Sequence, residues 1–186
     1  MRVFVTGATG FIGRALIPRL QRDGHVVVAG VRSPARARGL LGAEVELVQV
    51  EAAPGALVAA IEGSDAVVNL AGEPLMGGRW TAGRRKVLED SRIKVTEQLV
   101  RAVAEAKTRP RVFISGSAVG YYGDRAGEVL TEVSPPGRDF PARVCEAWEA
   151  ASRKAERHGV RTVQLRVGVR SEEHTSELQS RFGISY

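Results

Sequence analysis

Short apolar runs alternate along the chain with longer segments in which apolar residues recur at helical spacing. Six runs have the length and character of buried strands: residues 3–5, 25–31, 45–50, 65–70, 112–115 and 162–167. Between them, the periodicity predicts helices from residue 11 to the Asp23-Gly24 pair and over residues 56–61, 81–107 and 139–158. Pro18 interrupts the first of these helices and is expected to bend it.

This order of elements predicts an α/β fold. Because strands and helices alternate, we expect a doubly wound parallel sheet with helices on both of its faces. The run at residues 25–31 is apolar at nearly every position, which is typical of a parallel strand that is buried on both sides. The length of 186 residues suits one domain of ordinary size.

A glycine-rich turn follows the first run, with Gly7, Gly10 and Gly13 at a spacing of three. It lies directly after a strand and before an amphipathic helix, which is the context of a dinucleotide-binding turn. The backbone amides at such a helix start hold a pyrophosphate, helped by the positive end of the helix dipole. We therefore predict that a dinucleotide contacts Thr6, Gly7, Thr9, Gly10, Phe11, Ile12 and Gly13.

The residues after the second run select the form of the cofactor. NAD-binding turns usually place an Asp or Glu there, whereas this chain has Arg32, followed closely by Arg36 and Arg38. A guanidinium at that place suits a ribose 2′-phosphate, so we predict NADP rather than NAD. The alternative is that these arginines are only the solvated start of a helix. Small residues end two later runs, and we expect the backbone or side chains of Leu70, Ala71, Gly72 and Ser115 to approach the same cofactor.

The composition limits which binding partners and which cellular compartment we expect for the protein. The formal net charge is +6, but the arginines are spread along the chain without interleaved aromatic residues, so we do not expect nucleic acid binding. No segment is long and apolar enough to suggest a membrane span. Cys145 is the single cysteine and fits a reducing, cytoplasmic compartment, where we expect it to be a core residue. His25 and His158 have no neighbouring metal ligands, so no metal site is predicted.

Three motifs together carry a resemblance to a known family. They are residues 6–13 (TGATGFIG), residues 69–72 (NLAG) and the pair SGS and YYG at residues 115–117 and 121–123. The chain is similar to the extended short-chain dehydrogenase/reductase superfamily, and more narrowly to its atypical branch of NAD-dependent epimerase/dehydratase-like, or sugar-nucleotide epimerase, proteins. The similarity covers residues 1–169, which implies a Rossmann-like NAD(P)-binding domain over that range.

The resemblance also implies a serine, tyrosine and lysine site for proton and hydride transfer. Ser117 falls at the serine position, but the expected Tyr-x-x-x-Lys is missing near Asp139. Tyr121 or Tyr122 is our candidate for the acid, and Arg143 for the missing positive charge, although an arginine cannot shuttle a proton. The alternative is that the tyrosines pack beside the cofactor without taking part in chemistry.

Residues 170–186 depart from the family. The string RSEEHTSELQS at residues 170–180 and the terminal ISY resemble two parts of a translated sequencing adapter. We therefore expect a non-native tail after residue 169 and a domain that stops before the family's substrate lobe, inactive as it stands.

Two functions follow as hypotheses. The first is a fragment of a cytoplasmic NADP-dependent oxidoreductase or epimerase, acting on a small or nucleotide-linked carbonyl or hydroxyl substrate. The alternative is a non-catalytic NADP(H)-binding redox sensor or scaffold protein, which the missing Tyr-x-x-x-Lys favours. The resemblance further suggests a homodimer that pairs through the long helix.

Overall fold

A computed structural model of the chain describes residues 1–50, 55–75 and 79–168. Within these residues, six parallel strands form one sheet in the order β3-β2-β1-β4-β5-β6. The strands are β1 Arg2–Thr6, β2 Val26–Val31, β3 Glu46–Gln49, β4 Ala66–Asn69, β5 Val112–Ala118 and β6 Arg161–Val167. The helices are α1 Phe11–Arg22, α2 Pro34–Leu41, α3 Ala56–Glu62, α4 Ala82–Glu105 and α5 Phe140–Arg153, with 3₁₀ turns at Val119–Tyr122 and Lys154–His158.

The strand order confirms the predicted doubly wound sheet. The chain moves outward from β1 to β3, returns to β4 beside β1, and then moves outward in the other direction to β6. The direction reverses between β1 and β4, and ligands of such sheets bind in the crevice at the carboxyl ends of the strands at this point. The glycine turn follows β1, so the fold places it at that crevice.

The sheet is buried on both faces, which explains the continuous apolar runs. Val3 and Val5 of β1 lie on one face with Ile17 of α1, and Phe4 lies on the other face with Leu99 of α4. Phe4 and Val5 have no exposed surface, so the central strand is fully enclosed. Two helical layers thus cover the sheet, as parallel strands require.

Three details differ from the sequence prediction. Helix α2 was predicted only as an alternative, the solvated start of a helix, because Ala37 is its one buried residue and the segment lacks an apolar repeat. Strand β5 runs on to Ala118 and so includes Ser117. The last predicted helix is divided into α5 and a 3₁₀ turn, and it ends at Gly159, whose φ of 77° closes the turn.

Four further expectations concern Pro18, Cys145, membrane-spanning helices and residues 170–186. Pro18 lies inside α1 without ending it, and Cys145 is buried, as predicted for a core residue. None of the helices described here is long and apolar enough to cross a membrane. The predicted tail at residues 170–186 lies outside the described residues.

Candidate functional site

The glycine turn is shaped by close backbone approaches. Gly7 has a φ of 69°, and a Cβ on it would lie 2.4 Å from the carbonyl oxygen of Leu70. A Cβ on Gly13 would lie 2.5 Å from the carbonyl oxygens of Gly7 and Ala8. No side chain caps α1 at Gly10, and its first turn holds no acidic residue. The positive end of the α1 dipole therefore faces the crevice, where an anion is stabilised.

A buried polar network fixes the strands beneath this turn. The Thr6 hydroxyl donates to Asn69 Oδ1 at 2.8 Å, and Asn69 Nδ2 donates to Thr96 Oγ1 at 2.8 Å. Trp148 Nε1 donates to the same Thr96 oxygen at 2.9 Å, and Thr96 donates in turn to the Arg92 carbonyl. Thr6 thus uses its side chain to join β1 to β4, which leaves the backbone of the turn as the ligand-facing part.

Arg92 supports the segment after β4 from within. Its Nη2 donates to the Glu73 carbonyl at 2.9 Å, and its guanidinium lies 5.4 Å from the centre of the Trp148 ring. Burial lowers the pKa of Arg92 below its ordinary value, against the favourable charge of Glu73. A Cβ on Gly72 would lie 3.2 Å from the Arg92 guanidinium carbon, so Arg92 would have to shift by a few tenths of an ångström to admit it. The backbone of Leu70, two residues before Gly72, passes close to Gly7.

Arg38 and Arg32, which both lie in the segment after β2, have different roles in the structure. Arg38 Nη1 donates to the carbonyls of Gly42, Ala43 and Val45, so it closes the end of α2. The Arg32 side chain is 83% exposed, and its Nη1 lies 4.0 Å from Glu73 Oε1. Arg32 therefore remains available to a ligand at the carboxyl end of β2.

Ser117, the predicted catalytic serine, points to a carboxylate that the sequence analysis missed. Its hydroxyl is buried and donates to Glu149 Oε1 at 2.7 Å. Glu149 lies on α5 with no exposed surface. Arg166 of β6 donates from Nε to Oε1 at 2.8 Å and from Nη2 to Oε2 at 3.0 Å, and Arg153 donates to Oε2 at 2.7 Å.

The charges in this cluster hold one another in the ionised form. Burial would raise the pKa of Glu149, but the hydrogen bonds from Arg166 and Ser117, with the charges of Arg166 and Arg153, lower it overall. The hydrogen bond to Glu149 raises the pKa of Arg166 above its ordinary value. Glu149 is thus an ionised acceptor, and the proton of the Ser117 hydroxyl is committed to it.

Arg166 also brings the predicted tyrosines to the same place. Its guanidinium carbon lies 3.6 Å from the centre of the Tyr121 ring, and its Nη1 donates to Tyr122 Oη at 2.8 Å. The two tyrosine rings meet edge to face, 5.4 Å apart. The same Nη1 donates to the Glu132 carbonyl at 3.0 Å and so ties the loop before α5 to the sheet.

Arg143 was a sequence candidate for the missing positive charge, and that role stays a prediction. It is exposed on α5, and its Nη1 donates to the Arg138 carbonyl at 2.7 Å. The cation beside the tyrosines is Arg166, which the resemblance gave no reason to select. Glu149 had one signal in the sequence, because it is the one charged residue on a helix face whose other members are small or apolar.

Two further features are Ser115 on β5 and a surface cavity beside the turn that follows β5. Ser115 is fully buried, pairs in register with Asn69 and donates from its hydroxyl to the Gly116 carbonyl at 3.2 Å. A cavity of about 570 Å³ adjoins Tyr122 and contains Arg125 and Arg138 in its wall. Within the described ranges, no group of three His, Cys, Asp or Glu side chains is placed to hold a metal ion.

The doubly wound sheet and its glycine turn place the chain in the extended short-chain dehydrogenase/reductase superfamily. More narrowly, residues 3–169 match the model of the NAD dependent epimerase/dehydratase family, and the chain belongs to that family.

Similar proteins come from several kingdoms. The chloroplastic epimerase family protein SDR39U1 homolog of Arabidopsis thaliana is 42% identical over 178 residues, which cover 91% of this chain and 49% of that protein. An epimerase family protein of Mycobacterium leprae is 39% identical, with coverages of 90% and 52%. The chain therefore spans about half the length of the curated relatives that it matches.

Solved structures show the same fold. The human epimerase family protein SDR39U1 (isoform 2), in a structure with NADPH, superposes with a TM-score of 0.72 at 29% identity, covering 97% of this chain and 58% of that one. A nucleoside-diphosphate sugar epimerase from Corynebacterium glutamicum superposes with a TM-score of 0.70 at 33% identity, covering 89% of this chain and 33% of that one.

Proposed function

We propose that this chain is the cofactor-binding part of an NADP-dependent oxidoreductase or epimerase that acts on a small or nucleotide-linked carbonyl or hydroxyl compound. The observation that carries the proposal is Arg32, an exposed guanidinium at the end of β2, where NAD-specific turns place a carboxylate. The family membership and the NADPH present in the human SDR39U1 structure support it. Residues 1–169 are proposed as the domain, and residues 170–186 as a non-native tail.

The residues present fit a phosphorylated dinucleotide. The uncapped start of α1 and the close turn at Gly7 and Gly13 suit a pyrophosphate, because backbone amides approach an anion there without a side chain between them. Arg32 would hold the 2′-phosphate, and the Leu70–Gly72 segment would border the ligand. NADP, when bound, would supply the acceptor or donor of a hydride.

The cluster at β5 gives the chain's own groups distinct proton roles. Ser117 has committed its proton to Glu149, so its oxygen is an acceptor for a substrate hydroxyl. Tyr122 Oη accepts a hydrogen bond from Arg166 and keeps its own proton to donate. We therefore propose Tyr121 and Tyr122 as the proton-donating side of the site, with Glu149 and Arg166 as positioning residues.

Two arginines in the wall of the cavity beside Tyr122 offer hydrogen-bond donors to a phosphate-bearing substrate. These are Arg125 and Arg138, and Asp124 and Asp139 in the same wall cancel their formal charge. The Corynebacterium glutamicum relative is described as a nucleoside-diphosphate sugar epimerase, which agrees with that chemistry.

The second candidate is a non-catalytic NADP(H)-binding sensor or scaffold. It is favoured by the absence of Tyr-x-x-x-Lys from the start of α5, where the sequence reads FPARVC at residues 140–145. A sensor binds NADPH without consuming it, so turnover separates the two candidates.

The first experiment measures the affinities of the intact protein for NADPH and NADH by fluorescence titration. We expect NADPH to bind more tightly, and Arg32→Gln to weaken NADPH about tenfold or more while leaving NADH within about twofold, since a charged phosphate contact is lost. Arg36→Gln is the matched control, because Arg36 is an exposed arginine of α2. Clear preference for NADH, or equal losses in both variants, contradicts the proposal.

A further inference from the structure

Glu73 lies across the crevice from Arg32. It follows β4, whereas Arg32 follows β2, and β1 with its glycine turn lies between these strands in the sheet. The backbones of Glu73 and Arg32 therefore follow strands on opposite sides of β1, and their side chains approach each other to 4.0 Å. Nothing in the dinucleotide motif itself calls for an acidic residue after β4.

The Glu73 backbone is fixed, but its carboxylate is not. Its N–H donates to Ser91 Oγ at 3.1 Å, and its carbonyl accepts from Arg92 Nη2 at 2.9 Å. The carboxylate oxygens lie 4.0 Å from Arg32 Nη1 and 4.0 Å from Arg84 Nη1. Both distances are too long for hydrogen bonds, so Glu73 does not orient Arg32. It acts on Arg32 through its charge alone.

The residues around the Glu73 carboxylate carry a net positive charge. Arg32, Arg84 and Arg92 contribute three positive charges against the single negative charge of Glu73, so the group carries a net charge of +2. These residues therefore still attract an anionic ligand, in spite of the Glu73 carboxylate. The binding of that ligand is nevertheless weakened by the carboxylate already present, since like charges close together repel.

We propose that Glu73 is a specificity-determining residue that competes with the ribose 2′-phosphate of NADP for Arg32. The inference rests on the proposed function, because it needs NADP at the crevice. Glu73 lowers the affinity for a 2′-phosphate and leaves a ligand without that group almost unaffected. The discrimination between NADP and NAD is thus set by two residues of opposite sign, one after β2 and one after β4.

The experiment is a titration of the intact protein and its Glu73→Gln variant with NADPH, NADH and 2′,5′-ADP at low salt. A charge about 4 Å away in a water-rich setting corresponds to a change of about fivefold in a binding constant. We expect NADPH and 2′,5′-ADP to bind about three- to fivefold more tightly to Glu73→Gln, with NADH within about 1.5-fold. The gain disappears near 1 M salt, where the screening length falls to about 3 Å.

Glu46→Gln is the matched control. Glu46 also pairs with an arginine, Arg2, at 2.7 Å, but it lies at the start of β3 and Arg2 lies at the start of β1. The substitution makes the same change in net charge at the opposite end of the strands. We expect the affinity of Glu46→Gln for NADPH to equal that of the unchanged protein.

The outcomes separate this inference from the proposed function. Weaker NADPH binding by Glu73→Gln shows an orienting role and overturns the inference, as does an equal gain for NADPH and NADH. If Arg32→Gln loses NADPH affinity while Glu73→Gln changes nothing, the inference fails and the proposed function stands. If neither nucleotide binds the unchanged protein, the proposed function fails. Thermal unfolding of each variant without ligand verifies that it is folded.

Discussion

The two polar regions at the carboxyl edge of the sheet hold their charges in opposite ways. At the glycine turn, Arg32 is exposed and meets Glu73 at 4.0 Å without a hydrogen bond. At the end of β5, Glu149 has no exposed surface and accepts hydrogen bonds of 2.7–3.0 Å from Ser117, Arg153 and Arg166. The first region is open and built largely from backbone, whereas the second is closed and built from side chains.

Burial explains this difference. A charge removed from water must be paired and hydrogen-bonded, because its desolvation costs several kcal/mol. Glu149 meets that requirement through Ser117, Arg153 and Arg166. A substitution of Glu149 is therefore expected to lower the stability of the fold. An exposed charge such as Arg32 remains solvated and is free to respond to a ligand. Substitutions in the first region are therefore expected to alter binding, and substitutions in the second to alter stability.

The largest expected effect is that of Glu149→Gln. It removes the charge that balances two arginines, and we expect the free energy of unfolding to fall by about 3–5 kcal/mol. Urea denaturation measures the loss. Arg153→Gln is the control, since the Arg153 side chain is 44% exposed, and its loss should stay within about 1 kcal/mol. Similar losses in both variants would contradict the view that the buried Glu149 charge, and not the exposed Arg153, is what the fold depends on.

Acid should weaken the same cluster without a substitution. The pKa of Glu149 is lowered from its ordinary value of 4.5 by Arg166, Ser117 and Arg153, in spite of burial. A group with a lowered folded pKa stabilises the fold above its unfolded pKa and loses that contribution as the pH falls through its folded pKa.

The measurement is the difference in unfolding free energy between the unchanged protein and Glu149→Gln at a series of pH values. We expect the difference to be constant from neutral pH to about pH 5 and to shrink as the pH falls further. Comparing the two proteins removes the contribution of other carboxyls with lowered pKa values, such as Glu46. A difference that does not change with pH would contradict an ionised Glu149.

A smaller loss of stability, joined to a loss of binding, is expected for Gly13→Ala. The added Cβ would lie 2.5 Å from two carbonyl oxygens, so the turn must open, at a cost of about 1–3 kcal/mol. NADPH affinity should fall with it, because the turn borders the proposed pyrophosphate site. Gly24→Ala is the control: its φ of 77° strains an alanine, but no atom lies within 4 Å of the new Cβ. Titration should show NADPH affinity unchanged in Gly24→Ala.

The sequence predicted the open region better than the closed one. Gly7, Gly10 and Gly13 act through a local turn, so their spacing and the flanking elements suffice to predict it. Helix α2 was predicted only as an alternative, because Ala37 is its one buried residue and leaves no periodic signal. The alternation of strands and helices still predicted the whole sheet, since buried parallel strands need apolar residues on both faces.

The closed region depends on contacts between distant parts of the chain. Ser117 and Glu149 are separated by 32 positions, and Glu149 and Arg166 by 17. No local pattern states which charged residue will meet which, because the partners are set by the order of β5, α5 and β6 in space. The resemblance identified Ser117, but it directed attention to the start of α5 for the cation, and Arg166 lies on β6.

Arg143→Gln should have the smallest effect. Arg143 is exposed and donates to one backbone carbonyl, that of Arg138, so we expect a change of at most about 0.5 kcal/mol in unfolding free energy. Turnover, once a substrate is found, should remain unchanged. Arg166→Gln is the matched variant, and it should cost about 2 kcal/mol or more because Glu149 is left with one arginine fewer. If Arg143→Gln abolished turnover while Arg166→Gln did not, the cation of the site would lie at the start of α5, and the closed cluster would be structural alone.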